Sequence, residues 1–175
     1  MSITEGVRTA PARTRLAVDP HQSAVEFSVR TFWGLLTVHG RFDRFEGAYE
    51  LGPGGTTIDL AIDAVSIDTG NATRDGHLRA DDFFQTAEHP EIRFTSTSVG
   101  NAADGLLHVE GLLTAAGNVV PLDFFATVRR AGAGLELEAT TTVDQRELGM
   151  SSGKLGMIRP PATLHVRARV EEAAS

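Results

Sequence analysis

The heptapeptide AVEFSVR, Ala24 to Arg30, alternates without interruption: Val25, Phe27 and Val29 fall on one side, Glu26, Ser28 and Arg30 on the other. Period two marks a strand with one dry and one wet face, because successive side chains of an extended chain point to opposite sides. The same rhythm returns down the chain. IDLAID sets Ile58, Leu60 and Ile62 against Asp59 and Asp63, and EIRFTSTS sets Ile92 and Phe94 against Glu91 and Arg93. LDFFATV and GLELEATTTV behave alike, and in TLHVRARV the residues Leu164, Val166, Ala168 and Val170 oppose His165, Arg167 and Arg169. Half-buried strands of this kind belong to antiparallel sheets.

Turn signals separate the runs: Gly52-Pro53-Gly54-Gly55, Gly100-Asn101, Ala103-Asp104-Gly105 and Ala131-Gly132-Ala133-Gly134. The pattern predicts an all-β, antiparallel chain of about eight strands. Closure into a barrel would remove exposed strand edges, and a two-sheet sandwich satisfies the same spacing. Two segments break the rhythm. Asn71 to about Asp81 reads as one short helix, capped by Asp68, Thr69 or Asn71, with Asp75 and Arg79 paired at i,i+4 and Gly76 weakening it. The other is TFWGLL, Thr31 to Leu36, which puts Phe32, the only tryptophan (Trp33), Leu35 and Leu36 in a connection. Large apolar residues there are expected to plug or line an opening.

At 175 residues the chain suits one domain with a real core. Its 23 acidic residues against 16 basic ones give a net charge of -7, with no basic block, which argues against nucleic acid as a partner. The absence of cysteine excludes thiol catalysis, disulfides and thiolate metal sites. MSITEGVRTAPARTRLAVDP has no apolar core of a signal peptide, and no run reaches membrane-spanning length. The expectation is a cytoplasmic protein with a flexible tail over 1–14, a domain over 15–171 and a short tail over 172–175.

Candidate chemistry is sparse. Asp75, His77, Asp81, Asp82 and His89 are close in sequence but lack HExxH or facial-triad spacing. They read as a solvated helix face rather than a metal site. Ser151-Ser152-Gly153-Lys154 has no strand-to-helix elbow, and GPGGTT lacks the GK[ST] ending of a phosphate loop. No metal ligand and no catalytic residue is assigned.

The inward phase of the strands is more informative. It holds the large residues Phe27, Val29, Phe42, Ile62, Phe94, Leu122, Phe124 and Leu137. The same phase holds Gly40, Ser96, Ser98, Gly111, Ala126, Ala139 and Ala168. A barrel of about eight strands either fills itself with side chains or holds one small ligand. Small residues favour the second outcome, although alternating large and small residues also fill a taper.

VDPHQSAVEFSVR followed by TVHGRFDRFEG resembles the opening strands of the YceI-like, polyisoprenoid-binding proteins. The resemblance is strongest in IDAVSIDTGNATRDGHLRADDFFQTAEHPEIRFTSTSV, Ile62 to Val99, and continues in VEGLLTAAGNVVPLDF and ATTTVDQRELGM. It covers about Arg15 to Val170. The resemblance implies a lipocalin-like antiparallel barrel with one helix, enclosing an apolar tunnel for a long isoprenoid chain such as a quinone tail. It implies no catalytic residue, and no cofactor beyond a bound isoprenoid lipid. Phe83 and Phe84 are expected to turn inward beside the helix.

The lipid-lining set is then Phe27, Val29, Trp33, Leu35, Phe42, Ile62 and Phe83, with Phe84, Phe94, Phe124, Ala126, Leu137 and Ala139 completing it. Family members often carry Leu-His-Gly and Lys-Pro where this chain has Ala115-Ala116-Gly117 and Val120-Pro121, so a polar pair that could meet a head group is missing. The common secretion signal is missing as well. The implied function is non-enzymatic sequestration or transport of the lipid, with transient membrane contact and a monomeric or homodimeric state both compatible. Two rivals stand beside it: an enzyme acting on a small hydrophobic substrate at the barrel mouth, with His77 or Asp82 as base, and a packed stress or interaction module without ligand.

Overall fold

The computed structural model of the chain describes residues 12–31, 35–150 and 158–173. Eleven strands lie within them: β1 (Thr14–Val18), β2 (Ala24–Thr31), β3 (Leu36–Phe42), β4 (Phe45–Gly52), β5 (Gly55–Asp63), β6 (Ile67–Asp68), β7 (Glu91–Ala103), β8 (Leu106–Ala115), β9 (Asn118–Ala131), β10 (Gly134–Val143) and β11 (Arg159–Glu172). A single α-helix, α1 (Ala72–Arg79), separates β6 from β7. The strands pair in the order β1-β4-β5-β7-β8-β9-β10-β11, and pairing of β1 with β11 closes the ring. The molecule is thus a closed, antiparallel, eight-stranded barrel with one helix, not a sandwich.

Eleven segments make eight staves because two staves are each broken in two and β6 lies outside the ring. Along β11, Val170 faces Val18 of β1, while Leu164 faces Phe27 of β2. The break between them falls where Pro20, without an N–H, follows Asp19, whose side chain accepts from the His21 N–H. β3 and β4 form the next stave in the same way, β3 against β2 and β4 against β1 and β5. The free edge of β3 meets only the two residues of β6.

The alternation in the sequence becomes the wall of the barrel. Val25, Phe27, Phe42, Ile62, Ile92, Phe94, Leu122 and Leu137 are all buried in one core. Burying side chains of this size removes them from water at about 1.5–3 kcal/mol each. A bulge between Ser96 and Ser98 shifts the phase of β7. Ser98 is therefore exposed rather than inward as expected, and Val99 packs against the core instead. Ser96 stays half-buried, its hydroxyl accepting from the Ile58 N–H at 2.8 Å.

Helix α1 begins at Asn71, whose side chain accepts from the Arg74 N–H at 3.0 Å, the capping role that short amide side chains favour. It stops where Ala80 turns extended. The predicted Asp75–Arg79 pair and the solvated helix face need correction. Asp75 is buried, and its Oδ1 accepts from the Thr69 N–H at 2.9 Å and the Thr69 hydroxyl at 2.6 Å. Arg79 instead donates to the carbonyls of Val65 and Ile67, each at 2.9 Å. Both side chains tie the helix to the segment that precedes it, where loop carbonyls and amides would otherwise lack partners.

The β8–β9 hairpin turns at Ala116 (φ 49) and Gly117 (φ 76), both left-handed, as a two-residue turn matched to the strand twist requires. Gly117 is fixed for a second reason: a Cβ there would lie 2.8 Å from Nε2 of His89. β1 starts at Thr14 and β11 runs to Glu172, each one residue beyond the expected domain edges. Trp33, the Ser151–Lys154 stretch and residues 1–11 of the expected tail lie outside the described residues.

Candidate functional site: an apolar chamber inside the barrel

The barrel encloses a cavity of about 550 Å³ with an overwhelmingly apolar wall. Each stave contributes through its inward phase. Val25, Phe27 and Val29 come from β2, Leu122, Phe124 and Ala126 from β9, and Leu137, Ala139 and Val143 from β10. Helix α1 and the turns after it supply Leu78, Phe83 and Phe84. Two aromatic groups flank the space. Phe27 and Phe42 are 5.6 Å apart between ring centroids, with Phe84 edge-on to Phe42 at 5.8 Å, and Phe94 and Phe124 are 5.5 Å apart elsewhere on the wall. Rings at these separations hold one another in place.

Of the residues expected to line the interior, Phe27, Val29, Phe42, Ile62, Phe83 and Phe84 all face the cavity, as do Phe94, Phe124, Ala126, Leu137 and Ala139. Leu35 does not. It is 83% exposed in the β2–β3 connection, just beyond the last paired rung, Thr31 with Leu36. The small residues divide as well. Ala126, Ala139 and Ala168 line the cavity, whereas the room over Gly40 and Gly111 is taken by the rings of Phe27 and Phe94, 2.3 Å and 2.5 Å from where a Cβ would stand. These glycines seat aromatic rings and do not widen the chamber.

Sequence reasoning left several lining residues out of the site. Leu164 and Val166 show the period-two signal plainly and had been placed on an apolar face. Leu148, Met150 and Ile158 come from the β10–β11 connection, where no periodicity marks them. Gln145 also lines the chamber, and its side-chain Oε1 is buried with no partner among the described residues.

Charged residues around the cavity turn their ionised groups elsewhere. Glu26 and Glu138 flank His165 on the outer face, at 3.3 Å and 2.9 Å, and Asp59 binds Arg93 at 2.8 Å. The hydrogen bond that the His165 ring donates to Glu138 raises its pKa above the ordinary imidazole range; burial opposes that shift, and the bond to Glu26 adds a smaller upward contribution. Tyr49, buried in the wall, has its phenol pushed up by burial. Asp75, His77, Asp81, Asp82 and His89 do not converge on a common point. Among the described residues the His/Asp/Glu group close enough to share a cation is His108, Glu110 and Asp123, on the barrel's outer surface. Its members are partly or fully exposed.

A closed antiparallel barrel around an apolar chamber, with one helix beside it, defines a lipocalin-like barrel protein. The YceI-like domain model matches residues 16–170, and the chain belongs to that family. Protein YceI of Escherichia coli O157:H7 is 32% identical over 140 residues, covering 71% of this chain and 73% of that protein. A UPF0312 protein of Shewanella denitrificans is 35% identical over 103 residues, covering 57% of this chain, so the match spans about half, 53%, of that relative's length.

Among solved structures, Burkholderia cenocepacia BcnA superposes with a TM-score of 0.80 at 19% identity, covering 89% of this chain and 99% of its own. A polyisoprenoid binding domain from Saccharophagus degradans gives 0.76 at 20% identity, covering 90% and 98%. Likeness at these identities concerns the fold. Among the described residues no helix is long and apolar enough to cross a membrane.

Proposed function

We propose that the protein is a non-enzymatic carrier or scavenger of a long-chain isoprenoid or quinone-like lipid, held with its tail in the barrel. The observation that carries this reading is the enclosed apolar chamber of about 550 Å³. The polyisoprenoid-binding description of the structural neighbour from Saccharophagus degradans supports the class of ligand.

At roughly 30 Å³ per water-sized group the chamber takes on the order of 20 methylene-sized groups. With ~0.8 kcal/mol per buried CH₂, the transfer sums to about 16 kcal/mol, close to the practical ceiling on non-covalent affinity. Chain ordering and the lipid's alternative home in a bilayer offset most of it. Binding is therefore an exchange with membranes, governed by how the tail fits the wall, and a longer tail projects from the mouth.

Organic extraction of freshly purified protein, followed by mass spectrometry, tests the reading. An apolar molecule of isoprenoid type in near-stoichiometric amount is the expected result. Protein isolated from a quinone-rich host with no extractable lipid would overturn it.

A further inference from the structure

The chamber's polar groups specify what the lipid carries at its end, an inference that rests on the lipid-binding reading. Four charged residues border the space, and each has its ionised group engaged away from it. Glu26 and Glu138 bind His165, Asp59 binds Arg93, and Arg74 turns its guanidinium back onto the carbonyl and hydroxyl of Thr69, each at 2.7 Å. His77 and Thr73 are exposed on the helix.

What remains inside, among the described residues, is neutral. Thr141 continues the inward phase of Leu137 and Ala139, and Gln145 follows it beyond Val143. Thr31 ends the inward phase of β2. Phe27, Leu164 and Thr141 form one row across three strands, so Thr31 and Gln145, each four residues further along, reach the same end of the barrel.

Gln145 is the unusual member. It is 8% exposed, lines the chamber, and its Oε1 is buried with no donor among the described residues. A buried amide oxygen left without a hydrogen bond is uncommon in native proteins and calls for an explanation. The turn that holds it is well built. Asp144 caps it by accepting from the Arg146 N–H, and the Met150 N–H donates to the Gln145 carbonyl. Asn118 ties it to the neighbouring hairpin through the Leu148 carbonyl at 2.9 Å. Its backbone is pinned on both sides, which holds the side chain toward the chamber.

We infer that Gln145 is the head-group receptor of the chamber, selecting an apolar chain that ends in an uncharged hydrogen-bond donor, such as a hydroxyl, over an anionic one. An O–H at the end of the tail supplies the donor that Oε1 lacks among the described residues, and the hydroxyl of Thr31 is a further neutral polar group at that end. A phosphate would bring charge to a wall whose one arginine among the described lining residues, Arg74, is already committed to Thr69.

The test uses the delipidated full chain with three matched probes: geranylgeraniol, its methyl ether, which accepts but cannot donate, and its monophosphate. Wild type is expected to bind the alcohol about tenfold more tightly than the ether, the effect of one hydrogen bond, and the phosphate most weakly. Gln145→Leu should level alcohol and ether, keep the ether's affinity, and raise the melting temperature of the apo protein by removing the unpaired oxygen. Gln145→Met, closer in stem length, reads the same preference should the leucine variant fold poorly. Equal binding of alcohol and ether by wild type, tightest binding of the phosphate, or an unchanged preference in the variants would overturn the assignment while leaving the chamber reading standing. Binding of none of the three probes would contradict the chamber reading, and the assignment falls with it.

Discussion

The ring of Phe27 occupies the space over Gly40, its cross-strand partner on β3: a Cβ at position 40 would lie 2.3 Å from Cζ of the ring. Phe27 in turn packs on Phe42. Gly40→Ala must therefore push the ring toward the chamber or force it off its rotamer. The expected cost is about 1–3 kcal/mol, as for other overpacked cores, together with weaker uptake of a fluorescent prenyl probe. Denaturant unfolding and probe titration check the two effects. An unchanged midpoint would mean that the ring can move freely.

Asp75 and His77 are two residues apart on the same helix and should behave differently. Asp75→Ala leaves the Thr69 N–H and hydroxyl without their buried acceptor, so a loss of about 1–3 kcal/mol is expected. His77→Ala, at an exposed position, should stay within about 0.5 kcal/mol. Equal effects in thermal melts would contradict the placement of Asp75.

The antiparallel strands were legible in the sequence because β2, β5, β7 and β9–β11 alternate, and period two is a local signal. Closure into a barrel rather than a sandwich was implied only by the resemblance to the YceI-like family. The bulge in β7 was not, since Ser96, Thr97 and Ser98 carry no mark of which one is extra. Asp75 was misread for a related reason: a carboxylate at i,i+4 from an arginine looks like a surface pair until tertiary structure delivers Thr69 to it. Leu148, Met150 and Ile158 reached the chamber wall from a connection where no pattern predicts facing. Glycine in the inward phase was ambiguous as well, because a missing side chain leaves room for a ligand or for a neighbouring ring. In the folded barrel the rings of Phe27 and Phe94 take that room.

His165, between Glu138 and Glu26, gives stability a pH dependence of definite sign. Its folded pKa is raised, so the contribution is complete below the unfolded value, about 6.5, and is lost as pH rises through the folded value. Melting temperature should fall across that window, and His165→Gln should flatten the slope. The groups are partly solvated and the effect is correspondingly modest. A wild-type slope of opposite sign would show that another group dominates.

Whether the barrel interior is a chamber for a lipid tail or a packed core is decided by Ala139→Trp. Ala139 lines the cavity from β10, opposite Ala126 on β9 and Val166 on β11. In a core at native packing density an indole there would destabilise the fold by about 1–3 kcal/mol or more. In a chamber it takes the place of the lipid. The measurement pairs the melting temperature of the delipidated variant with its lipid content by native mass spectrometry. A lipid chamber gives a folded variant that melts at or above delipidated wild type and carries no lipid. A variant that unfolds, or one that stays folded with a full complement of lipid, would contradict it.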